Sequence, residues 1–194
     1  MTTLNVTAEL ERLIADIAGR TEAFRHIDPE RLLVCVSATR GGGVHGTYAK
    51  IHPLRFEGGE HRKTIRRRRS TITVEMPAVT HRGREILYVI YFLVPRFFNL
   101  SLREKLSTVF HELYHISPEF NGDIRRFPGK NFAHGSSTRK FNAAMAAFAD
   151  EYVAGLVDRC GIAFLDGDMA AIRSRYGAIV GRKLPAPKIS IISK

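Results

Sequence analysis

Five consecutive residues, His111-Glu112-Leu113-Tyr114-His115, hold the chemistry most worth testing in this chain. On a helix, positions i and i+4 lie one turn apart on the same face, so the two imidazoles can reach one metal ion. The intervening glutamate is offset around the axis, beside the metal rather than on it, where it can serve as a general base. Zinc suits imidazole ligands better than magnesium or calcium does. It would lower the pKa of a coordinated water toward neutrality, so that Glu112 could take the proton as a carbonyl is attacked.

A catalytic zinc needs a third protein ligand and an open position. One histidine follows the motif, His134, with 18 residues between it and His115. A loop could deliver it to the metal. The competing candidates are Asp150 and Glu151, acidic residues of the next predicted helix. His26, His45, His52, His61 and His81, all upstream, read as surface histidines. A developing oxyanion also needs a donor; Tyr114, Tyr152 and Arg126 are candidates. Arg125 and Arg126, between the ligands, could draw an acidic or nucleic-acid-bound substrate inward.

The elements around these residues follow from local pattern. Ser101-Leu-Arg-Glu104 is a capping box that opens a helix with the apolar stripe Leu102, Leu106, Val109, Phe110 and Leu113, ended by Pro118. Residues 119–135, rich in Gly, Pro and Arg, read as irregular. A long helix is predicted from about Ser137 to Cys160, with Phe141, Met145, Phe148, Tyr152 and Leu156 on one face and Gly161 beyond its end. An N-terminal helix spans about 7–24, with Thr7 as N-cap. A further helix runs from Met169 to Ile179, capped by Asp168, and the tail from about 181 to 194 is extended. Leu32–Ser37, Ser70–Met76 and Ile86–Val94 read as strands, with Tyr48–Ile51 and Leu54–Phe56 as weaker candidates. Ile86–Val94, apolar on both faces, should be central, and a turn at Gly83 should join it to Ser70–Met76 as a hairpin. Gly41-Gly42-Gly43 reads as a loop, since no phosphate-loop lysine follows.

The expected class is therefore α+β, a single domain over residues 1–194. A small twisted mixed sheet would pack on the motif helix and on a second long helix. Thirty Lys+Arg against 19 Asp+Glu give a net charge of +11, a balance that attracts polyanions. Arg62, Lys63, Arg66, Arg67, Arg68 and Arg69 concentrate that charge and are the candidate nucleic-acid contacts. Two distant cysteines, Cys35 and Cys160, cannot build a Cys-rich metal site and read as buried free thiols in a reducing compartment. The longest apolar stretch is too short to span a bilayer, and no basic-then-apolar leader is visible. These features predict a cytoplasmic protein without a membrane partner.

The segment HELYHISPEFNGDIRRFP, with the later AHGSS and KF, resembles the metallopeptidases of phages and archaea, a group similar to the SprT-like zinc proteases. VCVSATRGGGVHGTYAKI resembles that group's N-terminal strand and basic loop, so the likeness covers roughly residues 30–150. The resemblance implies a minimal zincin in which His111, His115 and His134 are Zn2+ ligands and Glu112 is the base. It also implies a protein or peptide substrate, DNA-bound in the SprT-like case. Two features depart from the SprT-like pattern: the chain lacks the cysteines of a zinc ribbon, and its loop before His134 is long. Against the peptidase stand a nucleic-acid-binding module with a structural metal, which would not need Glu112, and a regulatory protease that cleaves one phage or mobile-element repressor.

Overall fold

The computed structural model describes residues 2–39, 46–68, 70–129 and 132–193; the triple glycine, His45 and Arg69 lie outside the described residues. The fold is α+β, and its centre is a three-stranded mixed sheet. In it β8 (Tyr88–Val94) lies between β2 (Leu32–Ala38), parallel to it, and β3 (Ala49–Pro53), antiparallel. Tyr88 to Phe92 are all buried, because helices cover one face and a smaller apolar cluster covers the other. Alternation divides the strands accordingly. Leu32, Val34, Tyr88, Ile90 and Phe92 face the main core, while Leu33, Cys35, Val89 and Tyr91 face the smaller one. The central position expected for the Ile86–Val94 segment is what its two-sided hydrophobicity requires.

Four helices build the main core. They are α1 (Val6–Arg20), α2 (Leu102–Tyr114), α3 (Thr138–Ala154) and α4 (Met169–Arg175). The capping box of α2 is complete: Glu104 N–H donates to Ser101 Oγ at 3.3 Å and Ser101 N–H donates to Glu104 Oε2 at 2.9 Å. A cap contributes about 1 kcal/mol. Burial of Leu106, Val109, Phe110 and Leu113 contributes roughly 1.5–3 kcal/mol each. The cap therefore sets where α2 starts, and the core sets where it lies. Lys105 fixes it further. Its fully buried ammonium donates to the carbonyls of Leu165 (2.6 Å) and Gly167, and burial pushes its pKa down to about 8.

Smaller ribbons surround this centre. Parallel β1 (Thr3–Asn5) and β9 (Ala178–Val180) bring the segment before α1 against the segment after α4. A three-stranded antiparallel sheet has the order β10 (Ser190–Ser193), β5 (Ser70–Glu75), β4 (Arg62–Arg67). β6 (Val79–His81) and β7 (Arg84–Ile86) form a two-stranded hairpin.

Several expectations are corrected. The Gly83 turn joins β6 to β7, not β5 to β8; β5 and β8 belong to different sheets. Arg62–Arg67 of the arginine run is itself strand β4, and Leu54–Phe56 is not a strand. Asn5, not Thr7, caps α1: its side chain accepts from Ala8 N–H, and Thr7 is buried. α1 ends at Arg20, and α3 stops at Gly155, the first glycine it meets, rather than near Cys160. α4 ends at Arg175 because Ala178–Val180 is taken up by pairing with β1. Both cysteines are free, but Cys160, past the end of α3, is exposed.

Candidate metal centre

His111 occupies the last turn of α2, and His115 is its C-cap. The backbone of His115 remains right-handed helical (φ −71°, ψ −15°), so the one-turn relation survives the helix end. The two ring centroids are 4.8 Å apart.

The chain then folds back tightly. Ser117 N–H donates to Asp123 O (3.2 Å) and Arg125 N–H to His115 O (2.7 Å). The buried Tyr88 hydroxyl ties down this loop, donating to Asp123 O at 2.8 Å and accepting from Gly122 N–H at 2.9 Å. His134 follows on the next stretch. Gly135, at φ +68°, takes a left-handed conformation that other residues adopt only with strain. That turn leads the chain into Ser137, whose side chain caps α3 by accepting from Lys140 N–H. A glycine directly after the third histidine thus has a backbone reason.

The result is a cluster. The ligand nitrogens of His111, His115 and His134 lie within 4.8 Å of one another, with His111 Nε2 and His134 Nε2 at 3.3 Å. Among the described residues no other trio of His, Cys, Asp or Glu converges in this way. Burial, with the neighbouring imidazole His134, pushes His111 down to about 4; burial, with His111, His134 and Arg125, pushes His115 down to about 3. Both rings are therefore neutral at ordinary pH, the form in which imidazole binds a cation. The donor set and its protonation fit a divalent metal.

Glu112 is buried, and burial raises its carboxyl to about 7, opposed by a hydrogen bond from the backbone N–H of Ile51 on β3. His111 and Glu112 open onto a cleft of about 520 Å³ walled by Thr47, Tyr48 and Ala49 on one side and by Asn142 and Met145 on the other.

Other predicted residues lie elsewhere. Asp150 is exposed and forms a two-pronged ion pair with Arg103 (2.7 Å and 2.7 Å), and Glu151 is exposed; neither joins the cluster. Arg126 spends its guanidinium on Asp123 (3.0 and 3.1 Å), and the Tyr152 hydroxyl donates to Asp16 at 2.6 Å. Tyr114 stands in an aromatic cluster with Phe24, Phe127, Phe141 and Phe148, and the Arg125 guanidinium sits 4.2 Å above its ring. Among the described residues, none of the upstream histidines approaches the trio.

Two residues were missed. Phe141, assigned only to a core stripe, packs against all three imidazoles, with centroids at 4.9, 5.5 and 5.0 Å. Asn142 hydrogen-bonds the side chain of His111, a contact of the kind that orients a metal-binding ring. Neither spacing nor composition marks them; only the packing of α3 on α2 does.

An α+β fold with three converging imidazoles, two of them on one helix, defines a candidate metal-binding protein of hydrolase type. The model of the family described as "putative phage metallopeptidase" matches residues 3–144. The chain belongs to that family. No curated protein and no solved structure matches it.

Proposed function

We propose that this protein is a zinc-dependent peptidase in which His111, His115 and His134 hold the metal and Glu112 moves the proton. The observation that carries the reading is the convergence of three imidazole nitrogens within 4.8 Å, with a buried carboxyl on the residue following the first of them. Zinc, when bound, would supply Lewis acidity toward a water and a peptide carbonyl. The chain's own groups supply the rest. Phe141 walls the three rings, Asn142 orients His111, and the Ile51 N–H holds the Glu112 carboxylate at the cleft. A carboxyl raised to about 7 can take a proton and return it to a leaving amine near neutral pH. The cleft beside β3 would receive the peptide.

The exposed basic ribbon favours a substrate bound to nucleic acid, in keeping with the SprT-like likeness. Among the described residues no helix is long and apolar enough to cross a membrane.

The test compares wild type with Glu112→Gln for zinc content and for cleavage of an unfolded protein such as casein. Glu112→Gln should keep its zinc and lose cleavage by about 10²–10⁴-fold. Undiminished cleavage would sink the assignment.

A further inference from the structure

The β4–β5 ribbon separates its residues by face. Residues paired across an antiparallel ladder share a face, and residues two apart along a strand share it too. Pairing of Lys63 with Val74 and Ile65 with Ile72 defines one face, which Ile191 of β10 extends. Val74 on that face is buried. Pairing of Arg62 with Glu75, Thr64 with Thr73, and Arg66 with Thr71 defines the other, which is polar and carries hydrogen-bonding groups along its length.

Charge is graded along the ribbon as well. At its base Arg62 is neutralised by Glu75 at 2.7 Å. Toward its tip Arg66 and Arg68 are exposed and make no ion pair among the described residues. Like charges so placed repel one another unless a polyanion gathers them. No residue from Arg62 to Glu75 is aromatic, so the ribbon has nothing on which unpaired bases could stack. Among the described residues β10 pairs with β5 only from Glu75 to Thr73, so beyond Thr73 the sheet narrows to two strands, which, roughly 5 Å apart, fit a B-form major groove about 12 Å wide. The major groove of duplex RNA is too deep and narrow to be read.

We propose that the tip of the β4–β5 ribbon binds duplex DNA by laying its Thr64–Thr71 face in the major groove, with Arg66 and Arg68 at the rim reaching the flanking phosphates. The proposal rests on the nucleic-acid form of the reading above and is independent of the peptidase chemistry. The turn that precedes the ribbon is bonded to the loop between the second and third histidines: Gly58 N–H, four residues before β4, donates to Asp123 Oδ2 at 3.1 Å. DNA held on the ribbon is thereby tied to the segment that delivers His134.

Fluorescence anisotropy on the full chain tests this with four probes: a DNA duplex, its single strand, an RNA duplex of the same sequence, and polyglutamate. Each is titrated across salt. The DNA duplex should bind tightest, and a major-groove ligand should displace the protein while a minor-groove ligand does not. Each phosphate contact contributes about −0.9 to the slope of log K against log salt. Arg66→Gln with Arg68→Gln should therefore flatten the slope by about two units, and Arg12→Gln with Arg173→Gln should leave it nearly unchanged. Failure to bind any nucleic acid overturns both the inference and the nucleoprotein reading. Binding that prefers single strand, RNA or polyglutamate, yields only to the minor-groove ligand, or keeps its slope in the Arg66/Arg68 variant overturns the ribbon assignment alone. If that variant fails to fold by circular dichroism, the wild-type competition still decides.

Discussion

At the histidine cluster, polar groups are withdrawn from water and satisfied one by one. His111 bonds Asn142, Glu112 accepts from the Ile51 amide, and Phe141 lies against every ring. On the β4–β5 ribbon Arg66 and Arg68 are exposed and have no ion-pair partners among the described residues. The first arrangement fixes direction: each group has one place to point, and its protonation is set by burial. The second fixes only a field, which any sufficiently dense anion can feel and salt can screen. A site that must place a proton needs the first; a surface that must gather a polymer can use the second. Substitutions at the cluster should therefore act through geometry and be insensitive to salt, whereas those on the ribbon should act through charge.

The largest effect should come from His134→Ala. Removing one of three ligands should weaken zinc binding by more than the 10–100-fold that follows when only a ligand's hydrogen-bond partner is lost. Competition with a chromophoric chelator measures it, and the loss should be the same at low and high salt. Unchanged affinity would break the comparison at its root. Asn142→Ala comes next. It should reduce zinc affinity or activity by about 10–100-fold, with partial recovery in Asn142→Gln if the longer amide still reaches His111. An Asn142→Ala protein indistinguishable from wild type would show that the ring is held by packing alone.

A smaller effect concerns Lys105, the buried cation that positions α2. Burial holds its folded pKa near 8, below its ordinary 10.5. The unfolded chain then carries more protons between those values, so stability rises with pH across that window. The difference in chemical-denaturation stability between wild type and Lys105→Met should accordingly shift in favour of wild type from pH 8 to 10.5. A flat difference would mean that the carbonyls of Leu165 and Gly167 offset the burial.

The parts of this account that could be read from sequence are those in which spacing along one element carries the chemistry. His111 and His115 share a face because a helix turns every 3.6 residues, and Ser101 with Glu104 announces that helix locally. β8 was legible as central because its composition is apolar on both faces. Contacts between elements were not legible. Phe141 and Asn142 enter the cluster only through the packing of α3 on α2. Strand β4 carried no alternation to betray it, since its one apolar residue is Ile65; pairing with β5 makes it a strand. The assignment of Gly83 to a β5–β8 hairpin failed for the same reason. A turn does lie at Gly83, but the strands it joins are β6 and β7.

X-ray absorption at the zinc edge, on protein reconstituted with one equivalent of metal, tests the central claim most directly. The account predicts three imidazole nitrogens at about 2.0–2.1 Å with one further light-atom ligand, and a fall to two imidazoles in His134→Ala. A wild-type spectrum with fewer than three imidazoles, or one that His134→Ala leaves untouched, would contradict it.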